Sequence, residues 1–232
     1  MRYQRAMPSN SSGAVLLDID GTLADSNYVH TFAWARAFRE MGHPVDAWRI
    51  HRRIGMGGGL LLAELLGDRL DELGDAVKER HSRYYAEAAA EVHRFEGVQE
   101  LIAAVKERGA KVVLASSASP DELELLLEVL DVSDTVDAVT SAKDVEEAKP
   151  DPDLVHSALE AAGVPAERAV FVGDTVWDVK AAARADVPCV GVLTGGISAA
   201  ELTEAGAIAI YTSVAELLDA LDSSPLRHAW ED

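Results

Sequence analysis

Six short apolar runs, separated by stretches long enough for helices, constrain the fold of this chain more than any other feature. They are Ala14 to Leu17, Val112 to Ala115, Ala138 to Thr140, Ala169 to Val172, Cys189 to Val192 and Ile208 to Tyr211. Runs this short and this continuously apolar suit strands buried on both faces, as in a parallel sheet. Amphipathic patterns fall between the later runs. Val98, Leu101, Ile102 and Val105 share one helical face, and Leu123, Leu126, Leu127 and Leu130 share another. Leu154, Val155 and Leu159 mark a third face, and Leu217, Leu218 and Leu221 a fourth. The punctuation agrees. Ser119-Pro120-Asp121-Glu122 supplies an N-cap, a proline in the first helical position and an acid in the third, while Gly109 and Gly163 stop the helices before them.

The alternation fails once. From about Asp25 to Phe95 the pattern is helical throughout, broken only by Gly42-His43-Pro44 and Gly57-Gly58-Gly59. The expected architecture is therefore α/β: a doubly wound, Rossmann-like parallel sheet interrupted after its first strand by an all-helical cap. In residue numbers, 1–23 and 97–232 form the core domain and 24–96 the cap domain. Residues 1–11 and 223–232 read as poorly ordered ends.

Charge narrows the partners. The 40 acidic residues against 21 basic ones give a net charge of -19. Such a surface repels nucleic acid and anionic lipid, and no apolar run approaches the roughly 20 residues of a membrane span. The single cysteine, Cys189, excludes an internal disulfide framework and fits a cytoplasmic location. An anionic substrate entering such a protein has to meet local positive charge, from a metal ion or a few focused Lys and Arg.

Acids stand where ligands bind in open α/β sheets, at the carboxyl ends of strands. The first apolar run ends in Asp18-Ile19-Asp20-Gly21-Thr22, and the fourth in Gly173-Asp174-Thr175-Val176-Trp177-Asp178. Carboxylates brought together from two strand ends repel one another unless a cation intervenes, and oxygen ligands of this kind suit Mg²⁺. The second run ends in the hydroxyls of Ser116 and Ser117, and Lys149 precedes Pro150 ahead of a helix. Hydroxyls and an ammonium are groups that hold phosphate oxygens.

Taken in order, these elements resemble the haloacid dehalogenase superfamily across essentially the whole chain. The acidic D-x-D-x-T, the Ser after a strand, the Lys and the G-D-x-x-x-D all occur in sequence. The helical insert is similar to the small cap of the branch containing phosphoglycolate phosphatases and β-phosphoglucomutase. The resemblance implies a Mg²⁺-dependent phosphatase acting on a small-molecule phosphate ester, as a monomer or homodimer. Asp18 is then the nucleophile, Asp20 the general acid and base, and Lys149 the cation that holds Asp18. Mg²⁺ is expected on Asp18, the Asp20 carbonyl and Asp174, with Asp178 behind or ligating through water. Thr22, Ser116 and Ser117 are assigned to the phosphate. Asp20 also separates phosphatases from relatives that cleave carbon–halogen or carbon–phosphorus bonds, and its acid role calls for a raised pKa.

In the insert, His30 is expected to contact the leaving group or tune Asp20, and Arg53 (or Arg52) to reach a second anionic group. Trp34 and Met56 read as packing residues, Lys78 as solvated. No role is assigned to His43, His51, His81, His93, His156 or His228. Two other readings share the same residues: a phosphomutase returning the phosphoryl group to a sugar, and a catalytically silent binding protein.

Overall fold

The computed structural model describes residues 12–141 and 148–231. Its six strands are β1 (Ala14–Leu17), β2 (Lys111–Ala115), β3 (Ala138–Thr140), β4 (Ala169–Gly173), β5 (Cys189–Val192) and β6 (Ala209–Tyr211). They form one sheet in the order β3-β2-β1-β4-β5-β6, with every pairing parallel. Each strand matches one of the apolar runs, extended by one residue at β2 and β4 and shortened by one at β6.

Alternate side chains of these strands feed two cores. Val15, Leu17, Val112, Leu114, Val170 and Val172 face one side, where α5 (Val98–Glu107), α6 (Pro120–Leu130) and α10 (Val214–Asp219) pack. Ala14, Leu16, Val113, Ala115, Ala169 and Phe171 face the other, covered by α7 (Asp153–Ala162), α8 (Val176–Arg184) and α9 (Ala199–Ala205). Helices on both faces make the sheet doubly wound, as its continuously apolar strands require. The strand order reverses between β1 and β4, whose ends carry Asp18 and Asp174, and such a switch point opens the ligand crevice of this architecture.

Between β1 and α5 the chain is helical: α1 (Asn27–Glu40), α2 (Ala47–His51), α3 (Gly58–Leu66) and α4 (Leu70–Glu87). Helices α1 and α4 pack together around Trp34, Phe38, Val77, Tyr84 and Tyr85. The chain leaves and re-enters the sheet side by side, with Asp25 N donating to His93 O at 2.8 Å and Phe95 N to Leu23 O at 3.0 Å.

One expectation needs correction. The stretch after Ser223 is not a frayed end: Pro225–Ala229 forms a short 3-10 helix whose Leu226 and Ala229 are fully buried. Ala229 O accepts from Gly13 N at 2.8 Å, pinning this segment beside the start of β1. The expectation for residues 1–11 lies outside the described residues.

Candidate active site

Parallel pairing of β1 with β4 aligns Leu17 with Val172, and Asp18 N extends that ladder by donating to Val172 O at 3.0 Å. Asp18 and Asp174 thus emerge from neighbouring strand ends. Asp18, Asp174 and Asp178 are all buried, and each turns a carboxylate oxygen into a cluster whose atoms lie within 4.8 Å of one another. Lys149, itself 1 % exposed, donates to Asp18 Oδ1 at 2.6 Å and to Asp178 Oδ1 at 2.7 Å.

Three carboxylates face one ammonium. Burial pushes the Asp18 carboxyl up to about 8; Lys149 pulls against that rise and Asp178 adds to it. Burial also pushes Asp174 well above the carboxylate range, reinforced by Asp178 and Asp18. Burial disfavours the Lys149 ammonium, but Asp178 and Asp18 outweigh it and raise its pKa. An all-oxygen cluster with surplus buried negative charge has the chemistry of a site for a hard divalent cation, so these residues fit the metal that the motif implies.

Neighbours aim each acid. Asp174 accepts from Thr22 Oγ1 at 2.9 Å through Oδ1 and from Asn27 Nδ2 at 2.8 Å through Oδ2. Gly195 closes over the same carboxylate, and a Cβ there would stand 1.6 Å from Asp174 Oδ2. Asp178 is the third residue of α8 and completes a capping box, its Oδ2 accepting from Thr175 N at 3.0 Å and Oγ1 at 2.6 Å. Both oxygens of Asp178 are therefore engaged by protein donors, unlike an acid free to wrap a metal.

Asp20 Oδ1 accepts from Ser26 Oγ at 2.6 Å and faces His30 Nε2 at 3.2 Å. Burial pushes the Asp20 carboxyl up, but the His30 hydrogen bond and charge, with Ser26, outweigh it and leave a lowered pKa. The raised value expected from crowded carboxylates is thereby corrected. His30 shows the converse: burial lowers it, and Asp20 more than restores it, for a net rise. His30 Nδ1 meets His81 Nε2 at 3.0 Å, and His81 Nδ1 lies 3.6 Å from Glu122 Oε1.

A cavity of about 240 Å³ separates the sheet end from the helical segment. Asp18, Asp20, Lys149 and Ser117 line it from the sheet side, and His30, Trp34, Arg53, Lys78, His81 and Ser82 from the helical side. The two sides touch closely. A Cβ on Gly55, where φ is +93°, would stand 2.9 Å from Thr175 Oγ1, and His51 Nε2 meets Gly195 O at 2.9 Å. Arg52 forms an ion pair with Glu201.

A model of the haloacid dehalogenase-like hydrolases matches residues 13–186, most of the chain and every acid of this cluster. This chain belongs to that family. Among relatives of this hydrolase, a phosphoglycolate phosphatase from Rhodospirillum rubrum is 32% identical over 216 residues, covering 89% of each chain. A hydrolase from Pseudomonas syringae superposes with a TM-score of 0.87 at 34% identity, covering 91% of this chain and 98% of its own. A β-phosphoglucomutase from Clostridium difficile shares the fold at a TM-score of 0.77 and 21% identity, over 91% and 96% of the two chains.

Several sequence-based expectations for this hydrolase look different in three dimensions. Thr22 does not line the cavity; its tight turn, closed by Thr22 N on Ile19 O at 3.2 Å, carries the hydroxyl to Asp174 instead of to a phosphate. Ser116 is fully buried, its Oγ accepting from Ala118 N at 3.0 Å, so of these two serines Ser117 is the one on the cavity wall. Arg53 lines the cavity but is tied to Glu64 Oε2 at 2.8 Å. Lys78, read as solvated, is exposed and also lines the cavity. Trp34 and Met56 are buried as expected, although Trp34 also borders the cavity. Asn27 joins the site without having been singled out, His81 lines the cavity although no role was assigned to it, and Glu122, read only as the capping acid of α6, does so as well. Only Asn27 carried a signal, as a polar residue just beyond the D-x-D turn.

Proposed function

We propose that this hydrolase is a Mg²⁺-dependent phosphatase that removes the phosphoryl group from a small phosphorylated metabolite through an aspartyl-phosphate on Asp18. The observation that carries the reading is the buried contact of Lys149 with Asp18 on the wall of the cavity, with Asp20 two residues on. Asp18 is the only member of the acid cluster that lines the cavity, so it is the carboxylate a substrate meets.

In this mechanism Lys149 orients Asp18 and, together with a bound cation, would offset the burial that raises its pKa, so that Asp18 attacks phosphorus as a carboxylate without needing a base. Asp18, Asp174 and the Asp20 carbonyl would hold Mg²⁺, which would supply charge neutralisation for an anion attacking an anion. Thr22 and Asn27 hold Asp174 in place, while Asp178 braces Lys149 and the start of α8. Ser117 and the loop amides bind phosphate oxygens. Asp20 protonates the departing oxygen, then takes a proton from the water that cleaves the aspartyl-phosphate.

Residues 24–96 act as a cap over the sheet domain formed by 1–23 and 97–232. Its closeness to the sheet end restricts substrates to small esters and keeps bulk water from the phosphorylated enzyme. Lys78 and Arg53 place positive charge opposite Asp18, which favours a substrate with a second anionic group, such as phosphoglycolate. The resemblance to sugar phosphomutases would place an arginine shortly after the cap glycine, and Gly57 to Gly59 in that region weigh against the mutase reading. The buried lone cysteine fits a cytoplasmic enzyme.

Phosphate release from a panel of small esters, with Mg²⁺ or EDTA and with Asp18→Asn, tests this function. Metal-dependent turnover that vanishes in the variant supports it, with carboxylate-bearing esters among the best substrates. Folded, Mg²⁺-loaded protein inert on every ester would refute it.

A further inference from the structure

Asn27 is the first residue of α1, and its buried side chain leaves the helical segment to meet the sheet domain. Nδ2 donates to Asp174 Oδ2 at 2.8 Å and more weakly to Gly195 O at 3.4 Å. A backbone carbonyl can only accept, which fixes that end of the amide as the nitrogen. Two glycines leave room for the contact. A Cβ on Gly21 would stand 2.5 Å from Asp174 Oδ2, and one on Gly195 2.8 Å from Asn27 Nδ2. The other end of the amide, Oδ1, is buried and meets no donor among the described residues. Buried polar atoms are satisfied in nearly all folded proteins, by water where the protein offers nothing. Mg²⁺ keeps several of its waters when it binds carboxylates, so an ion at Asp174 brings donors of the kind Oδ1 lacks.

The turn that covers Asp174 is held from both sides. Leu193–Gly195 is fastened on the sheet side by Thr194 Oγ1, which donates to Gly21 O at 2.6 Å. From the helical side His51 Nε2 donates to Gly195 O at 2.9 Å, and the His51 ring stacks on Tyr28 with centroids 5.0 Å apart. Asn27 and His51 thus come from α1 and α2 onto one carbonyl, beside one carboxylate of the cluster. Without the helical segment, the Asp174 carboxylate keeps only Thr22 as a side-chain donor among the described residues.

We propose that Asn27 is a positioning residue through which the helical segment completes the metal site, so that seating of that segment and binding of Mg²⁺ strengthen each other. The inference rests on the reading of Asp18, Asp174 and the Asp20 carbonyl as metal ligands and of residues 24–96 as a cap. One end of the Asn27 amide aims Asp174, and the other accepts from the water of the ion. Partners of this kind, behind the ligands themselves, tune metal affinity. The coupling is reciprocal: whatever factor the seated segment adds to Mg²⁺ affinity, Mg²⁺ adds to the seating equilibrium.

Mg²⁺ binding to the whole protein, followed by isothermal titration calorimetry and by amide hydrogen exchange, tests this without reference to turnover. Asn27→Leu keeps the shape of the side chain and removes both ends of the amide. His51→Phe keeps the stacked ring, removes the bond to Gly195 O and alters none of the ligands. Mg²⁺ affinity is expected to fall about tenfold or more in Asn27→Leu, the usual effect of losing such a partner, and about fivefold in His51→Phe. In wild type, Mg²⁺ should slow exchange at Ile50 to Ile54, which belong to the helical segment and hold none of the ligands. In Asn27→Leu saturated with Mg²⁺ that protection should be largely lost. Unchanged affinity in either variant overturns the proposal. So does full protection of Ile50 to Ile54 in saturated Asn27→Leu, which would leave Asn27 only a local support of Asp174. Wild-type protein that binds no Mg²⁺ fails the metal reading itself, and the inference with it.

Discussion

Lys149 donates to Asp18 over 2.6 Å with both side chains buried, and the contact joins residues 131 positions apart in the sequence. The same ammonium neutralises Asp178. Removing one partner of a buried ion pair leaves the other charge uncompensated, at a cost of about 3–5 kcal/mol. Lys149→Met is therefore expected to lower unfolding stability by that order and to reduce turnover at least about a hundredfold. Urea denaturation alongside phosphate release checks both, and near-wild-type stability would show that the pair carries little of the fold.

Removing the surplus charge of the Asp18, Asp174 and Asp178 cluster should stabilise the native state. A ligand that binds only folded protein adds about 2.7 kcal/mol at a hundred times its Kd. Thermal unfolding is expected to shift upward with increasing Mg²⁺ and to return with EDTA. Asp174→Asn should abolish most of the shift. A Tm indifferent to Mg²⁺ in the wild type would count against a metal at this cluster.

Arg52 and Glu201 tie the helical segment to α9 near the surface, with side chains 38% and 36% exposed. Arg52 and the Ser198 cap lower the Glu201 carboxyl to about 2. Because the folded value lies below the unfolded one, the contribution is fully present above about pH 4.5. It fades as pH falls toward 2. The stability difference between wild type and Arg52→Ala should be flat at neutral pH, shrink through this acid window, and weaken with added salt. A difference that grows on acidification would reverse the sign.

Leu226 is fully buried at the end of the chain, next to the Gly13–Ala229 hydrogen bond that anchors β1. Leu226→Ala is expected to cost about 3 kcal/mol, typical of a buried leucine, and should appear as a lower denaturation midpoint with an unchanged slope. A loss under about 0.5 kcal/mol, no larger than that of an ordinary surface substitution, would mean that the terminal segment does not hold the sheet.

The sheet was legible because buried parallel strands must be apolar without interruption, which left six runs with few competing assignments. Asp18 and Asp174 were legible for a related reason: polar residues at the ends of such runs have no packing role, whereas Lys149 stood out as a cation set before Pro150 ahead of a helix. His81 and Glu122 gave no comparable signal. Each is an ordinary polar residue on a helix, and their meeting with His30 depends on how α1, α4 and α6 cross. The direction of Thr22 hinged on a single tight turn that no periodicity reports. Leu226 and Ala229 sit in a segment too short and too polar to show a pattern, yet their backbone lies against β1.

Rapid acid quench during turnover of a small phosphate ester, followed by peptide mapping, addresses the proposed chemistry most directly. The phosphoryl group should be trapped on the peptide containing Asp18, in stoichiometry approaching one per active site when hydrolysis of the intermediate is slowed by Asp20→Asn. Turnover without a phosphorylated enzyme, or with the phosphoryl group on another residue, would contradict nucleophilic attack by Asp18.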